Sequence, residues 1–249
     1  MASPELPPID THAHIATDVT AAQVRHLDGA VIFAVTRSLS EAAAVPHGCH
    51  ANLIWGIGVH PGDRESLDRY RGERFEALLP RFALVGEVGL DRRAGHLDRQ
   101  REVFTDILAR TAEMPVMMSI HSTGAAAEVV ALLQEHHVRS PILHWFGGGA
   151  DEIRKAADNG AWFSVNGAMK DETIAAMPAD RVVTETDFPY TRRAGSRRPG
   201  ATDPIERQLA RIWDCRPMKV RQLVWQNLHA YVTTSGVRPR LPESIQSLL

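Results

Sequence analysis

Eight short apolar runs, each followed by an amphipathic segment, constrain the fold of this chain more than any other feature of its sequence. The apolar runs predict β-strands near residues 6–12, 29–36, 51–59, 83–88, 115–120, 140–144, 161–166 and 181–186. Helical spacing, as at Phe104, Ile107 and Leu108, predicts helices near residues 20–27, 38–45, 65–79, 98–113, 124–137, 149–159, 170–177, 203–213 and 217–227. Eight strands that each precede a helix predict an α/β fold, a single (β/α)8 TIM barrel around a parallel sheet.

The length of the chain and the absence of two loop motifs favour this barrel over a doubly wound open sheet. The chain has neither a Gly-x-Gly-x-x-Gly motif after its first strand nor a phosphate-binding Gly-Lys-Ser/Thr loop. Its 249 residues match the roughly 250 of a typical barrel. Because no internal repeat, long linker or low-complexity tract divides the chain, we expect one domain over residues 1–249.

Composition narrows the class of protein. Hydrophobic residues make up 44% of the chain and charged residues 23%, as in an ordinary soluble globular protein. The isolated cysteines Cys49 and Cys215 argue against a disulfide scaffold or a thiolate zinc site. Since no apolar run approaches the roughly 18 residues of a membrane span and no signal peptide is visible, we expect a cytoplasmic protein without a membrane partner. The net charge of −2 does not indicate a general nucleic-acid binder.

Side chains that bind metals recur at the carboxyl ends of the predicted strands, which meet at one rim of a barrel. The first strand ends in Asp10-Thr11-His12-Ala13-His14, where alternate residues share a face and two imidazoles can converge on one ion. Six of the eight strands supply such groups, and the later ones are His60, Glu87, Asp91, His121, His144, Glu185 and Asp187. At any single position the alternative is a polar residue whose hydrogen bonds are satisfied and which binds no metal. The joint pattern favours a metal site.

The pattern is also chemically compatible with two metal ions. Histidine and carboxylate without thiolate suit zinc, manganese, iron or magnesium. Glu87 has two carboxylate oxygens and can bridge two ions, with His12 and His14 on one side and His121 and His144 on the other. Two ions about 3.5–4 Å apart would activate a bridging water and hold a displacement at phosphorus or at a carbonyl.

These residues lie within longer motifs: Asp10-x-His12-x-His14, Gly58-Val59-His60-Pro61, Gly86-Glu87-Val88-Gly89-Leu90-Asp91, Pro115…His121-Ser122, His144 with Phe146 and Gly147, and Glu185-Thr186-Asp187-x-Pro189. In this order they resemble the motifs of the TatD-type metal-dependent deoxyribonucleases, a family of amidohydrolase-like barrels. The resemblance continues to Asn227 and covers nearly the whole chain.

The resemblance implies a hydrolase that cleaves phosphodiester bonds of DNA, commonly from the 3′ end of a single strand, with magnesium or with zinc or manganese in its place. It implies six metal ligands: His12, His14 and Asp187 on the first ion, His121 and His144 on the second, and Glu87 as the bridge. Asp187 would also accept the proton of the attacking water, and His60 would bind the scissile phosphate or assist the leaving group. Asp10 is interpreted as a carboxylate that orients a neighbouring ligand, and Asp91 as one that either orients a neighbouring ligand or caps the next segment.

Arginines are the expected substrate contacts besides His60, because guanidinium groups beside a hydrolytic site can bind phosphates. The candidates follow the fourth and eighth strands and are Arg92, Arg192, Arg193, Arg197 and Arg198, with Arg93 open to the same interpretation. The sequence departs from the family at two nearby positions. Arg92 stands where an aromatic residue is common, and Thr123 stands where an arginine is usual.

Three hypotheses for the biological role follow. The first is the DNA-cleaving nuclease. The second is a metal-dependent hydrolase of amides, lactones, phosphoesters or aminoacyl esters, because related barrels use similar ligands on many substrates. The third is a nuclease-like subunit with protein partners, since residues 145–149 and 163–166 resemble segments of TatD-like proteins in multi-gene anti-phage defence operons.

Overall fold

Eight parallel strands pair in the order of the chain, each hydrogen-bonded to the next. A computed structural model describes residues 6–27, 29–46, 52–191 and 197–249. The strands are β1 (Ile9–Ala13), β2 (Val31–Ala34), β3 (Leu53–Ile57), β4 (Leu84–Gly89), β5 (Met117–His121), β6 (Pro141–His144), β7 (Trp162–Val165) and β8 (Val182–Thr184). Nearly every strand residue is buried, as expected of a parallel sheet that is covered by helices.

The segment after β8 returns to β1 and closes the sheet. Ala13 and Phe188 form a parallel bridge, and the His14 N–H donates to the Phe188 carbonyl at 2.9 Å. The Thr11 hydroxyl donates to the Thr184 carbonyl at 3.1 Å. The predicted (β/α)8 barrel is therefore confirmed, and the open sheet is excluded.

Helices follow the strands around the outside of the barrel. They are α1 (Ala21–Arg25), α2 (Leu39–Ala44), α3 (Arg64–Arg69), α4 (Gly72–Leu78), α5 (Leu97–Thr111), α6 (Ala126–Glu135), α7 (Ala150–Asp158), α8 (Asp171–Ala175), α9 (Asp203–Ile212), α10 (Pro217–Ser235) and α11 (Glu243–Gln246). Three of the helices begin at an N-cap residue that the sequence supplies. The side chains of Thr20, Ser38 and Asp63 each accept a hydrogen bond from a backbone N–H in the first turn. Among the described residues, none of these helices combines the length and the apolar character needed to cross a bilayer.

Two predicted helices differ from the structure. The single helix predicted over 65–79 is two helices, because the backbone is extended at Tyr70 and Arg71. This break buries the Tyr70 ring and lets its hydroxyl donate to the Asp106 carboxylate at 2.6 Å. The helix predicted over 217–227 continues to Ser235 and ends at Gly236, whose φ of +69° suits the left-handed end of a helix. The first prediction missed a break that a contact with another helix accompanies, and the second missed the local helix-ending signal of Gly236.

Candidate metal centre

The ends of β1 and the segment after β8 bring one group of ligand atoms together. His12 Nε2 and His14 Nε2 lie 3.5 Å and 3.3 Å from Glu87 Oε2. Each of these nitrogens also lies 3.8 Å from Asp187 Oδ1. Donor atoms that each sit about 2.1 Å from one ion lie roughly 3–4 Å from one another. His12, His14 and Asp187 can therefore hold one metal ion.

The other oxygen of Glu87 faces a second group from β5 and β6. Glu87 Oε1 lies 2.6 Å from His121 Nδ1 and 3.1 Å from His144 Nε2. The two ring nitrogens are 3.2 Å apart. The carboxylate of Glu87 thus stands between two pairs of histidines, with one oxygen directed at each pair.

The donor atoms at the centre fit a cation. Both His12 Nε2 and Glu87 Oε2 are buried and have no hydrogen-bond partner within the described ranges. Buried polar atoms are normally paired, because an unpaired one keeps its full desolvation penalty. A divalent ion satisfies both a ring nitrogen and a carboxylate oxygen, so the chemistry of this donor set suits metal binding.

Polar groups lie on the far side of three histidine rings. His12 Nδ1 is hydrogen-bonded to Ser119 Oγ at 2.7 Å, which orients the ring and leaves Nε2 for the centre. His121 Nε2 lies 3.3 Å from Asp91 Oδ2, and His144 Nδ1 lies 3.4 Å from a carboxylate oxygen of Glu185, both without a hydrogen bond. The negative charge of these two carboxylates makes the rings beside them more basic.

Glu185 has a position that sequence reasoning did not anticipate. The sequence places it among the polar groups at the strand ends without a specific role, and the structure buries its side chain fully behind His144. It accepts hydrogen bonds from the Ser164 hydroxyl and from Asn166 Nδ2, the latter at 2.8 Å. The spacing of two residues from Asp187 was the available signal, because alternate residues near a strand end can face the same interior.

Asp10 lies apart from the ligand atoms and joins β1 to the segments that follow β8. Its carboxylate accepts hydrogen bonds from the Thr186 N–H and hydroxyl at 2.7 Å and 2.6 Å and from the Gly200 N–H at 2.8 Å. Burial raises its pKa to about 6, and these hydrogen bonds oppose the shift. These contacts hold the chain on either side of Asp187, and the predicted orienting role of Asp10 stays a prediction.

Burial and close charges shift the pKa values of the central groups in opposite directions. Burial alone would raise the pKa of Glu87, but His60, His12 and His121 around it lower that pKa well below its usual value. Burial raises the pKa of Asp187 to about 8. Its backbone φ of +44° lies in the left-handed region, a conformation that non-glycine residues keep mainly at functional sites.

His60 presents a specific nitrogen to the centre. Its Nε2 lies 3.4 Å from Glu87 Oε2, and its Nδ1 accepts a hydrogen bond from the Gly62 N–H at 2.9 Å. Because Nδ1 is an acceptor, the proton of the neutral ring is on Nε2. Burial lowers the pKa of His60 to about 4, so the ring is neutral at physiological pH. It can therefore donate a hydrogen bond into the centre.

A cavity of about 930 Å³ opens onto these residues, and only some of the arginines predicted to contact substrate line it among the described residues. Arg93 lines this cavity, whereas Arg92 donates from Nε to the Gly124 carbonyl at 3.0 Å and pairs with Glu128 at 3.1 Å. Thr123 lines it where the family usually has an arginine.

The remaining arginine candidates lie after β8. Arg197 and Arg198 line a different cavity, of about 490 Å³, together with Arg207. The guanidinium group of Arg198 donates to the His26 carbonyl. Arg192 and Arg193 lie outside the described residues. Substrate contact by any of these arginines stays a prediction.

Comparisons with known proteins agree with this architecture. A model of the family described as "TatD related DNase" matches residues 9–232. The chain is 30% identical over 192 residues to the "3′-5′ ssDNA/RNA exonuclease TatD" of Enterobacter lignolyticus, a match that covers 69% of this chain and 74% of that protein. It is 31% identical over 189 residues to the protein of the same description from Edwardsiella piscicida, covering 69% and 72% of the two chains.

Solved structures resemble the fold. The TatD homolog YJJV from Escherichia coli k12 has a TM-score of 0.73 at 19% identity, with 90% of this chain and 96% of that chain covered. A TatD family hydrolase from Entamoeba histolytica has a TM-score of 0.73 at 15% identity, with 92% and 99% covered. At such identities the likeness concerns the barrel alone.

Proposed function

The chain belongs to the TatD-related DNase family, and on that basis we propose that it hydrolyses phosphodiester bonds of nucleic acids with bound divalent cations. The position of Glu87 carries this proposal. Its Oε2 faces the two histidines of β1 and the segment after it, and its Oε1 faces the histidines that end β5 and β6. A carboxylate with each oxygen directed at a separate pair of nitrogens suits a two-metal site.

We assign the first ion to His12, His14 and Asp187, the second to His121 and His144, and the bridge to Glu87. Two Mg²⁺ ions are the proposed cofactors, and Zn²⁺ and Mn²⁺ are the alternatives that the same donor set can hold. When bound, such ions polarise a phosphoryl oxygen and make a bound water more acidic.

We assign a separate role in the reaction to each of three side chains around the centre. Asp187 would accept the proton of the attacking water, because its carboxylate stands beside His12 and His14 at the open cavity. His60 would donate a hydrogen bond from Nε2 to the scissile phosphate or to the leaving oxygen. Asp91 would keep the His121 ring in place.

The proposed substrate is a single strand of DNA with a free 3′ end, degraded in the 3′ to 5′ direction. Two of the similar curated proteins are described as 3′-5′ ssDNA/RNA exonucleases. The cavity of about 930 Å³ is large enough for a nucleotide, since small-molecule sites typically occupy 300–1,000 Å³. Arg93, which lines this cavity, and Arg92, Arg192, Arg193, Arg197 and Arg198 are the proposed contacts for phosphates.

A nuclease assay combined with metal analysis tests the proposal. Metal-loaded protein is incubated with a 5′-labelled single-stranded oligonucleotide, and the products are expected to shorten from the 3′ end. Glu87→Gln should lower the bound metal and abolish turnover, because the loss of a bridge affects both ions. Glu172→Gln, at an exposed position of α8, is the matched control and should keep both.

Two outcomes would contradict this assignment. Absence of cleavage with Mg²⁺, Mn²⁺ and Zn²⁺, in protein shown to hold metal, would rule out the nuclease. Full activity of Glu87→Gln would rule out the two-metal centre. A parallel panel of amides, lactones, phosphoesters and aminoacyl esters identifies the other class of hydrolase.

Three further predictions accompany the proposal and stay predictions. Residues 1–249 form one domain. The protein acts in the cytoplasm. The alternative biological role is a nuclease-like subunit with protein partners in an anti-phage defence assembly, for which the sequence resemblance of residues 145–149 and 163–166 is the support.

A further inference from the structure

Two aromatic side chains at the metal cavity are exposed, although rings of this size are usually buried. Trp145 is 38% exposed and Tyr190 is 54% exposed. Over the described part of the chain, the other large apolar side chains with this exposure are Met218 and Leu248, which are not aromatic. Both Trp145 and Tyr190 line the cavity that opens onto the metal centre. The exposed aromatic surface is thus concentrated at this cavity.

The exposure of Trp145 is built into the backbone. His144 before it is 3% exposed and Phe146 after it is fully buried, where it packs on Phe163. The φ of Trp145 is +40°, in the left-handed region that a bulky side chain rarely adopts. The chain therefore buries both neighbours and leaves the indole in the cavity.

Tyr190 lies near His14 and Asp187, the ligands proposed for the first ion, whereas Trp145 follows His144, a ligand proposed for the second. Its N–H donates to the Asp187 carbonyl at 2.8 Å, which places the ring beside the first group of ligands. The ring meets the His14 imidazole edge to face, with centroids 5.6 Å apart and an interplanar angle of 82°. About half of the Tyr190 surface stays exposed, and the residue lines the cavity.

We propose that Trp145 and Tyr190 bind the terminal base of the substrate while the metal centre holds the adjacent phosphate. This inference rests on the proposed nuclease function and assigns its base-binding residues. Trp145 directly follows His144, and Tyr190 follows Asp187 by three residues, so the same two segments carry the metal ligands and the aromatic rings. A nucleotide whose phosphate lies at the metal ligands would therefore have its base near the aromatic rings that follow those ligands in the chain.

Stacking on these rings explains a preference for single strands. Every base has a π face, so an aromatic side chain can bind any of the four bases. A base within a duplex is already stacked and paired and has to leave that arrangement before it can stack on protein. A terminal unpaired base has little of this penalty, so the aromatic pair favours single-stranded ends without reading their sequence.

Calorimetry with two ligands tests the base site. Isothermal titration of the metal-loaded full chain compares deoxyadenosine 5′-monophosphate with 2-deoxyribose 5-phosphate, which has the sugar and phosphate without the base. The nucleotide is expected to bind about tenfold more tightly, the size of one base–aromatic contact. The ratio should fall toward one in Trp145→Ala and in Tyr190→Ala and should persist in Met218→Ala, the exposed control. Trp145→Phe should keep most of the ratio but lose the nucleotide-induced quenching of tryptophan fluorescence.

Several results would overturn the inference. A wild-type ratio within about twofold of one, or undetectable nucleotide binding, would exclude a base site. A full ratio in both alanine variants would place the base elsewhere. If an alanine variant does not fold, the wild-type ratio and the fluorescence of Trp145→Phe still decide. Wild-type cleavage of DNA with a ratio of one would refute the base site alone, whereas failure to cleave DNA would refute the proposed function.

Discussion

Replacing Glu185 by glutamine should weaken metal binding while leaving the barrel folded. Glu185 is buried behind His144, with a carboxylate oxygen 3.4 Å from His144 Nδ1. Burial alone would lower the pKa of His144, but Glu185, together with Glu87, raises that pKa well above its usual value. Glutamine has nearly the same shape and removes the negative charge, so it isolates the electrostatic support of this ring.

The expected size of the effect follows from these contacts. Loss of a carboxylate that supports a ligating histidine typically lowers metal affinity by about 10- to 100-fold, or about 1.4–2.8 kcal/mol. The amide oxygen of glutamine can still accept from Asn166 Nδ2, and its NH₂ group can donate to the Ser164 hydroxyl. These hydrogen bonds are retained in kind, so the metal-free variant should lose unfolding free energy mainly through the lost charge pair with His144. That loss should be present while His144 is protonated and should shrink as the pH rises and His144 becomes neutral.

The assay is titration of metal into the metal-free protein at several pH values, with urea denaturation alongside. The Glu185→Gln variant should bind metal more weakly and show a shallower rise of affinity with pH, because its His144 is easier to deprotonate. Glu152→Gln is the matched control, since Glu152 lines the cavity but caps α7 through the Gly149 N–H. Wild-type affinity with a wild-type pH dependence in Glu185→Gln would refute this account of Glu185.

Two further predictions concern protons and packing. In the wild type the apparent affinity for metal should rise between about pH 6 and pH 8. His144, with its raised pKa, and Asp187, with a pKa of about 8, must release protons to become ligands. Titrations in buffers of different ionisation enthalpy count these protons, and pH-independent binding without proton release would contradict the prediction. Phe146→Ala should lower the unfolding free energy by about 3–5 kcal/mol, because Phe146 is fully buried against Phe163. Urea denaturation measures this loss. A loss below about 1 kcal/mol would contradict the prediction and show that neighbouring side chains fill the cavity left by the ring.

The order of elements and the location of the site were predictable from sequence because both depend on short-range patterns. Alternation of apolar runs with helical spacing identifies strands and helices, and strands connected through helices are parallel. Parallel strands in a barrel place all their carboxyl ends at one rim. Residues as distant in the chain as His12 and Asp187 could therefore be assigned to one site before any coordinates were known.

Contacts between elements were not predictable in the same way. The break at Tyr70 depends on Asp106, which belongs to another helix. The diversion of Arg92 from the cavity depends on Glu128, some 36 residues away in sequence. The first is a break in the backbone of a helix and the second is the direction of one side chain. In both cases periodicity contains no information about which partner from another element will be met.

The sequence alone determined the (β/α)8 barrel and the set of histidines and carboxylates at its rim, because local periodicity and strand direction are sufficient for both. The tertiary structure decided which oxygen of Glu87 faces which histidines, which carboxylate supports His144, and that Trp145 and Tyr190 are exposed at the cavity. These features depend on the packing of elements that are far apart in the chain. At these positions the direction and burial of the side chain are set by those neighbours, which the local pattern of the sequence does not identify.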